Sequence, residues 1–239
     1  GLGANSLVRK KLENKGVNVH DVPMKRTGLN PLRDLETLYV LYCLMKTEQI
    51  NYVLCYTVKP VIYGSIAAFL ARVPNRFSLI TGLGYAFTGK AKGKRGLLKF
   101  LIKKLYSVGL LCANKVFFQN PDDESLFRNL NILSKNKITC VVNGSGVDIS
   151  DYSVAVLPES PKFLLIARLL GDKGVREYAL AAKSILAMYP NVTFSLVGWI
   201  DDNPDAISSD ELDSWIASGH IKYLGRLSDV RPAISDSSV

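Results

Sequence analysis

Two cations, Arg168 and Lys173, stand in the stretch FLLIARLLGDKG (163–174), directly behind an apolar run of strand character. An apolar run, a glycine-containing turn and an amphipathic segment together read as a strand–loop–helix unit of a parallel α/β sheet. At the carboxyl edge of such a sheet the helix amino ends present unpaired N–H groups and the positive end of their dipoles, which attract anions. Two cations on that edge make a candidate phosphate site. The plainer alternative is that both residues end a strand and solvate a loop. A second candidate is the loop TGLGYAF (81–87), with Thr81, Gly82 and Gly84. Glycines after a strand let backbone N–H groups approach a phosphate or a sugar hydroxyl closely, or they only re-aim the chain.

A third candidate is the stretch KAKGKRGLLKFLIKK (90–104). It holds Lys90, Lys92, Lys94, Arg95, Lys99, Lys103 and Lys104 and no acid. Leu97, Leu98, Leu101, Ile102 and Leu105 recur there at helical spacing, with Lys99, Lys103 and Lys104 set away from much of that stripe. Such a helix suits an anionic bilayer, gaining about 1 kcal/mol per basic residue near the surface, or packs on a core with a solvated basic side. Nucleic acid is disfavoured, since only Phe100 and Tyr106 accompany the basic run and no recognition motif is present.

The elements that must position these residues follow a β-α-β-α rhythm. Helices are expected over 7–15, 32–48, 61–71 and 122–130, and strands over 17–22, 52–56, 76–80, 115–119 and 138–142. Asn30-Pro31 and Asn120-Pro121 supply a cap and a first-turn proline for two of the helices. After Asn143-Gly144-Ser145-Gly146-Val147-Asp148, a sharp-turn sequence, residues 149–161 read as a linker. The pattern then repeats: strands over 163–167, 193–197 and 221–224, helices over 175–188 and 211–217, and another helix starting at Asp229. Short connections favour parallel sheets with helices on both faces. Gly198, Gly225 and Arg226 fall at strand ends on the same edge as Arg168. Trp199 could stack on a base or pack.

Composition bounds the reading. With 239 residues, 48% of them apolar, the chain can build a sizeable core. Residues 1–150 carry 22 Lys and Arg against 9 Asp and Glu, whereas 151–239 carry 8 against 12. Such asymmetry predicts two domains with different partners, the first facing something anionic. Cys43, Cys55, Cys112 and Cys140 stand far apart, with no CxxC and only His20 and His220 as histidines. That argues against zinc and for buried thiols in a reducing cytoplasm. No apolar run approaches the roughly 18 residues of a spanning helix.

The segment Ile166-Ala167-Arg168-Leu169 with Asp172-Lys173-Gly174 resembles the first strand–loop–helix of the carboxyl-terminal domain in family 4 retaining glycosyltransferases of the GT-B fold. Segments 56–64 (YTVKPVIYG), 81–87 and 25–31 (KRTGLNP) resemble a subgroup acting on polyprenyl-diphosphate-linked sugars, and 143–148 resembles the family's crossing between domains. The first four of these segments, in the right order over nearly the whole chain, are specific where a lone GLG would not be.

The resemblance implies two Rossmann-like parallel-sheet domains facing a cleft, both incomplete: an acceptor and membrane-side domain over 1–148, the linker 149–161, and a nucleotide-sugar domain over 162–239. It implies Arg168 and Lys173 as the catalytic cations on the donor diphosphate, with Gly198, Gly225 and Arg226 at the base and ribose. Lys59, Thr81, Gly82 and Gly84 would line the acceptor side, and the 90–104 cations would hold the membrane. Where many relatives carry a histidine in the loop after 80, this chain offers Thr81 or Gly82, which leaves any catalytic base unassigned. The implied activity is transfer of an N-acetylhexosamine or hexose, with retention, from a UDP-sugar to a polyprenyl-diphosphate-linked saccharide in surface polysaccharide or glycan synthesis. The enzyme would sit in the cytoplasm, on the inner face of the plasma membrane, with no cofactor and no metal. Alternatives are a UDP-sugar epimerase of GT-B type and a non-catalytic nucleotide or membrane-binding module. A complete family member would begin before residue 1 and run past Val239 into a paired-glutamate motif. The chain alone is therefore expected to bind nucleotide weakly and turn over little.

Overall fold

The computed structural model describes residues 6–24, 30–82, 94–203 and 205–239. The chain divides into two compact units, 1–146 and 147–239.

The first unit is built on four parallel strands in the order β1-β2-β3-β4: β1 (Tyr52–Tyr56), β2 (Asn75–Ile80), β3 (Lys115–Phe118) and β4 (Thr139–Val141). Its helices are α1 (Ser6–Glu13), α2 (Pro31–Thr47), α3 (Ser65–Leu70), α4 (Lys94–Cys112) and α5 (Pro121–Asn129). Register pairs Cys55 with Ser78, Ser78 with Val116 and Ile80 with Phe118, so these five share one sheet face, and all are buried. That face meets Val61, Ile62, Tyr106, Leu110 and Phe127 of the helical layer. Tyr106 and Phe118 both set their rings edge-on to Phe127, at 5.4 and 5.5 Å between centroids.

On the other face Tyr52, Leu54 and Tyr56 are exposed. Helices on both faces are expected from the sequence, yet α2 to α5 gather on one. The cause is topological: crossovers are right-handed, and a sheet that grows strand by strand in one direction places every crossover helix on the same side.

Two local expectations fail. Residues 17–22 form no strand; Arg9 donates to the Val19 carbonyl at 3.0 Å, and Val17 N–H returns to the Leu12 carbonyl. Alternation makes a strand only where a sheet edge accepts it, and the edge of β1 does not pair with this segment. The helix expected over 61–71 opens instead with a wide π turn, Pro60–Gly64, before α3. This turn lies so close to β1 that a Cβ on Gly64 would stand 2.8 Å from the Cys55 sulfur.

The second unit has parallel strands β5 (Lys162–Ile166), β6 (Thr193–Val197) and β7 (Lys222–Gly225) in the order β5-β6-β7. Helices α6 (Val175–Leu186) and α7 (Ser209–Ala217) make the crossovers, and a short α8 (Arg231–Ser235) follows β7. Leu169, Val175, Ala182, Leu196, Ile207 and Ile221 fill the core. After α8 the chain returns to the far edge of β5: Ser238 N–H donates to the Lys162 carbonyl and Leu164 N–H to the Val239 carbonyl. Strand β5 is therefore where the direction of winding reverses, and the crevice at its carboxyl end is the place where open α/β sheets bind ligands.

Candidate functional site

The loop leaving β5 at this reversal point carries Arg168 and then a 3-10 turn, Gly171–Lys173. Gly174 follows with φ of +72°, a left-handed conformation that glycine adopts without cost and that turns the chain into α6. No side chain caps the amino end of α6, so its first N–H groups stay open beside Lys173, which is exposed. Arg168 is half-buried; its Nη1 donates to Asp201 Oδ2 at 2.9 Å. An uncapped helix start with two cations is an arrangement that holds a phosphate group.

The loop after β6 closes against it. Leu169 N–H donates to the Trp199 carbonyl, Ile207 N–H to the Leu169 carbonyl, and Gly171 N–H to the Asp205 carbonyl. Asp205 Oδ2 also accepts from Asp172 N–H at 3.0 Å. A Cβ at Gly171 would lie 2.7 Å from Arg176 Nη1 and 2.9 Å from Asp205 Oδ1, so the absence of a side chain there admits the contact. Arg176 makes a two-pronged pair with Glu211, at 2.7 and 3.0 Å, tying α6 to α7. The guanidinium beside it, helped by the Ser208 N–H, holds the Glu211 carboxyl down at about 2.

Gly198, the first residue past β6, donates its N–H to the Gly225 carbonyl at 3.0 Å. Tyr223 donates to the Gly198 carbonyl at 2.9 Å. Arg226, just past β7, lies over the Trp199 ring at 4.5 Å. Thus Arg168, Lys173, Gly198, Gly225 and Arg226 come together on one sheet edge. Trp199 presents its indole there with one face covered by a cation.

In the first unit, Lys59, Thr81 and Gly82 fall at the carboxyl ends of β1 and β2; Gly84 lies outside the described residues. Gly82 has φ of +130°, in the glycine-favoured region. Lys59 is not a bare cation. Its Nζ donates to Asp34 Oδ1 at 2.8 Å, with side chains 12% and 8% exposed, and Tyr63 donates to Asp34 Oδ2 at 2.9 Å. Burial and the Asp34 carboxylate push the Tyr63 phenol upward, so it stays protonated as the donor. A ligand at this edge meets an ion pair.

Of the basic run, Lys90 and Lys92 lie outside the described residues. Lys94 and Arg95 are described only as the start of α4; Lys99 and Lys103 are half-buried and Lys104 is exposed. Of the expected stripe, Ile102 is buried and Leu105 packs on the core, with Tyr106 and Leu110 continuing that face, whereas Leu101 faces out with Phe100, Val108 and Leu111; the side chains of Leu97 and Leu98 lie outside the described residues. Gly109 lets the buried face approach closely, because a Cβ there would meet the Val61 carbonyl oxygen at 2.8 Å; its bareness brings that face of α4 onto the π turn. Among the described residues no helix is long and apolar enough to cross a membrane, and no group of three or more His, Cys, Asp or Glu could hold a metal ion.

Sequence reasoning missed Asp201, Asp205 and Asp34. The only signal for the first two is an acid-rich loop, 201–205, one strand along from a cationic one. For Asp34 there is none, because an acid in a helix's first turn reads as a solvated partner of the dipole.

Residues 4–120 match the family described as glycosyl transferase 4-like. The chain is 29% identical over 235 residues to N,N'-diacetylbacillosaminyl-diphospho-undecaprenol alpha-1,3-N-acetylgalactosaminyltransferase of Campylobacter jejuni subsp. jejuni serotype O:2, covering 92% of this chain and 60% of that enzyme. It is 28% identical over 192 residues to UDP-Gal:alpha-D-GlcNAc-diphosphoundecaprenol alpha-1,3-galactosyltransferase of Escherichia coli, covering 74% of this chain and 48% of that one. Among solved structures it resembles a glycosyltransferase from Rickettsia africae, with a TM-score of 0.62 at 15% identity, covering 98% of this chain and 61% of the other. The chain thus spans roughly half to three-fifths of the length of these relatives, and its two parallel α/β units have the fold of the GT-B glycosyltransferases.

Proposed function

Because residues 4–120 match the family described as glycosyl transferase 4-like, we propose that this chain is part of a glycosyltransferase acting on a polyprenyl-diphosphate-linked saccharide, with a UDP-sugar as donor. The observation that carries the reading is the crevice at the winding reversal of β5, where Arg168, Lys173 and the open amino end of α6 converge. Relatives whose names specify undecaprenyl-diphosphate-linked substrates, one of them with a UDP-Gal donor, support the substrate classes. A name specifying capsular polysaccharide biosynthesis supports the process.

In this reading the donor's diphosphate lies against Arg168 and Lys173. As the glycosidic bond to the sugar breaks, charge builds on the departing diphosphate, and fixed cations next to it stabilise that charge as it grows. Gly198 and Gly225, with Arg226 over Trp199, border the nucleoside. The transferred sugar is an N-acetylhexosamine or hexose and keeps its anomeric configuration. The acceptor approaches the carboxyl edge of the first unit's sheet, at Lys59, Thr81, Gly82 and Gly84. Cations of the 90–104 run hold that unit to the anionic inner face of the plasma membrane, with Lys104 and the exposed Phe100 and Leu101 of α4 meeting the lipid. No metal and no further cofactor is assigned a role.

Calorimetric titration of UDP, GDP and ADP into the chain tests the donor site. UDP is expected to bind most tightly, and Arg168→Ala with Lys173→Ala to abolish the preference. Equal binding of the three nucleotides, or a double variant that binds as the parent does, would refute the donor assignment. Sedimentation with vesicles containing about 30% anionic lipid tests the membrane contact, and no co-sedimentation at low salt would refute it.

A further inference from the structure

We propose that Asp201 is a positioning residue, whose fixed carboxylate aims the Arg168 guanidinium at the donor diphosphate. The proposal rests on the reading of Arg168 as a diphosphate cation and adds a residue that neither the motif nor the family resemblance points to.

Arginine is long, and an unheld guanidinium at a loop tip loses rotamer freedom when it binds a phosphate. Here it is held beforehand. Asp201 Oδ2 accepts from Arg168 Nη1 at 2.9 Å, while Oδ1 accepts from the backbone N–H of Asn203 at 3.1 Å. The two carboxylate oxygens thus point in two set directions, one toward its own loop and one toward the arginine. Asp201 is only 14% exposed, against 31% for Arg168, so the anchor is the better buried of the pair.

The loop that carries Asp201 is itself fastened. Asn203 Oδ1 accepts from Asp205 N–H, and Asp205 accepts from Gly171 and Asp172 N–H groups on the Arg168 loop. Leu169 is bonded on both sides to the same partner loop, through the Trp199 carbonyl and the Ile207 N–H. Arg168 is therefore flanked by a closed circuit of main-chain bonds, with Asp201 the side chain that reaches it. A single N–H of a guanidinium is engaged by the carboxylate; the fork has five, and the rest stay available to a diphosphate.

The sign of the effect separates this from plain electrostatics. Asp201 is an anion close to an anion site, so if it only neutralised Arg168, removing it would strengthen phosphate binding. If it positions Arg168, removing it weakens binding despite the lost repulsion. Asn at this place cannot accept both hydrogen bonds, because its amide has one acceptor oxygen, so Asp201→Asn is expected to follow Asp201→Ala.

The experiment is a double-mutant cycle read by calorimetry, with UDP and uridine as ligands, on the parent chain and on the Arg168→Ala, Asp201→Ala, Asp201→Asn and Arg168→Ala/Asp201→Ala variants. UDP affinity is expected to fall about tenfold in both Asp201 variants, with uridine affinity unchanged. In the Arg168→Ala background the Asp201 change is expected to have no further effect, since a residue acting through another has nothing left to act on. UDP affinity equal to or higher than the parent's in Asp201→Ala would overturn the proposal. So would an Asp201 effect of the same size without Arg168, or an equal loss of uridine binding, which would mean general damage to the unit. If Arg168→Ala itself binds UDP as the parent does, or the parent binds none, the underlying cation reading fails and the proposal falls with it.

Discussion

Replacing Gly198 by Ala probes the join between the second unit's fold and its crevice. The Cβ so added would stand 1.9 Å from the carbonyl oxygen of Ala167 and 3.1 Å from Leu169 Cδ2. The backbone angle at Gly198, φ of +159°, is one that L side chains rarely adopt, so backbone strain adds to the contact. The opposing atom is backbone at the carboxyl end of β5, held by the bond from Ala167 N–H to the Val197 carbonyl, so no side chain can rotate away. To restore an ordinary separation of about 3.2 Å the two strand ends must part by more than an ångström. Overpacking a tight core costs typically 1–3 kcal/mol, and a backbone clash sits at the top of that range, so we expect a loss of about 3 kcal/mol. With a slope near 1.5 kcal/mol per molar urea, the midpoint falls by about 2 M. The chain has two tryptophans, Trp199 and Trp215, both in the second unit, so fluorescence follows that unit's unfolding without interference. Moving Ala167 also moves Arg168, and the same variant should lose UDP binding at least tenfold in urea-free buffer. A midpoint within about 0.3 M of the parent's, with UDP affinity retained, would refute the reasoning.

Three further substitutions probe single contacts in the two units. Asp34→Ala leaves Lys59 charged and buried without its partner, and should destabilise the first unit by about 3 kcal/mol, whereas Asp34→Ala with Lys59→Met should recover much of the loss; thermal scans of both variants would show it, and equal losses would contradict it. Glu211 has its folded pKa depressed from 4.5 to about 2 by Arg176 and Ser208, so its stabilisation is complete above pH 4.5 and is lost as pH falls through 2. Both side chains are more than a third exposed, which screens the pair to under about 1 kcal/mol; Glu211→Gln should flatten the tryptophan-detected stability profile between pH 4.5 and 2, and an unchanged slope would count against the pair. Lys137 donates to the Leu111 and Ala113 carbonyls at the end of α4 at 3.2 and 2.7 Å. Lys137→Met should cost about 1 kcal/mol and speed hydrogen exchange in the last turn of α4, leaving α5 unaffected.

Strands β1 and β6 stand where their apolar runs put them, because strands of a parallel sheet are read from continuous hydrophobicity flanked by turns. The starts of α2 and α5 were equally legible. The Asn30 side chain accepts from Arg33 N–H and the Asn120 side chain from Asp123 N–H, each followed by a first-turn proline. Local chemistry, written within four residues, can be read from four residues. What could not be read depends on partners far along the chain. Residues 17–22 have strand alternation and no edge to join, and the close approach of α4 is set by Gly109 resting on residues 61–62.

The candidate site divides the same way. Arg168 and Lys173 are visible because a motif carries them together. Asp201 lies 33 residues from Arg168, and Asp34 lies 25 from Lys59. Asp201 enters only when parallel strands bring their carboxyl ends side by side, and Asp34 only when the start of α2 packs on the turn after β1. That geometry supplies the argument for the site itself. Crossovers of one hand return every loop of the second unit to one edge, so cations from the first loop, acids from the second and Arg226 from the third must meet there. If Asp201 holds Arg168 still, the edge offers a diphosphate a fixed donor at little further entropic cost, and its grip on phosphate depends on a residue that carries no phosphate-binding signature of its own.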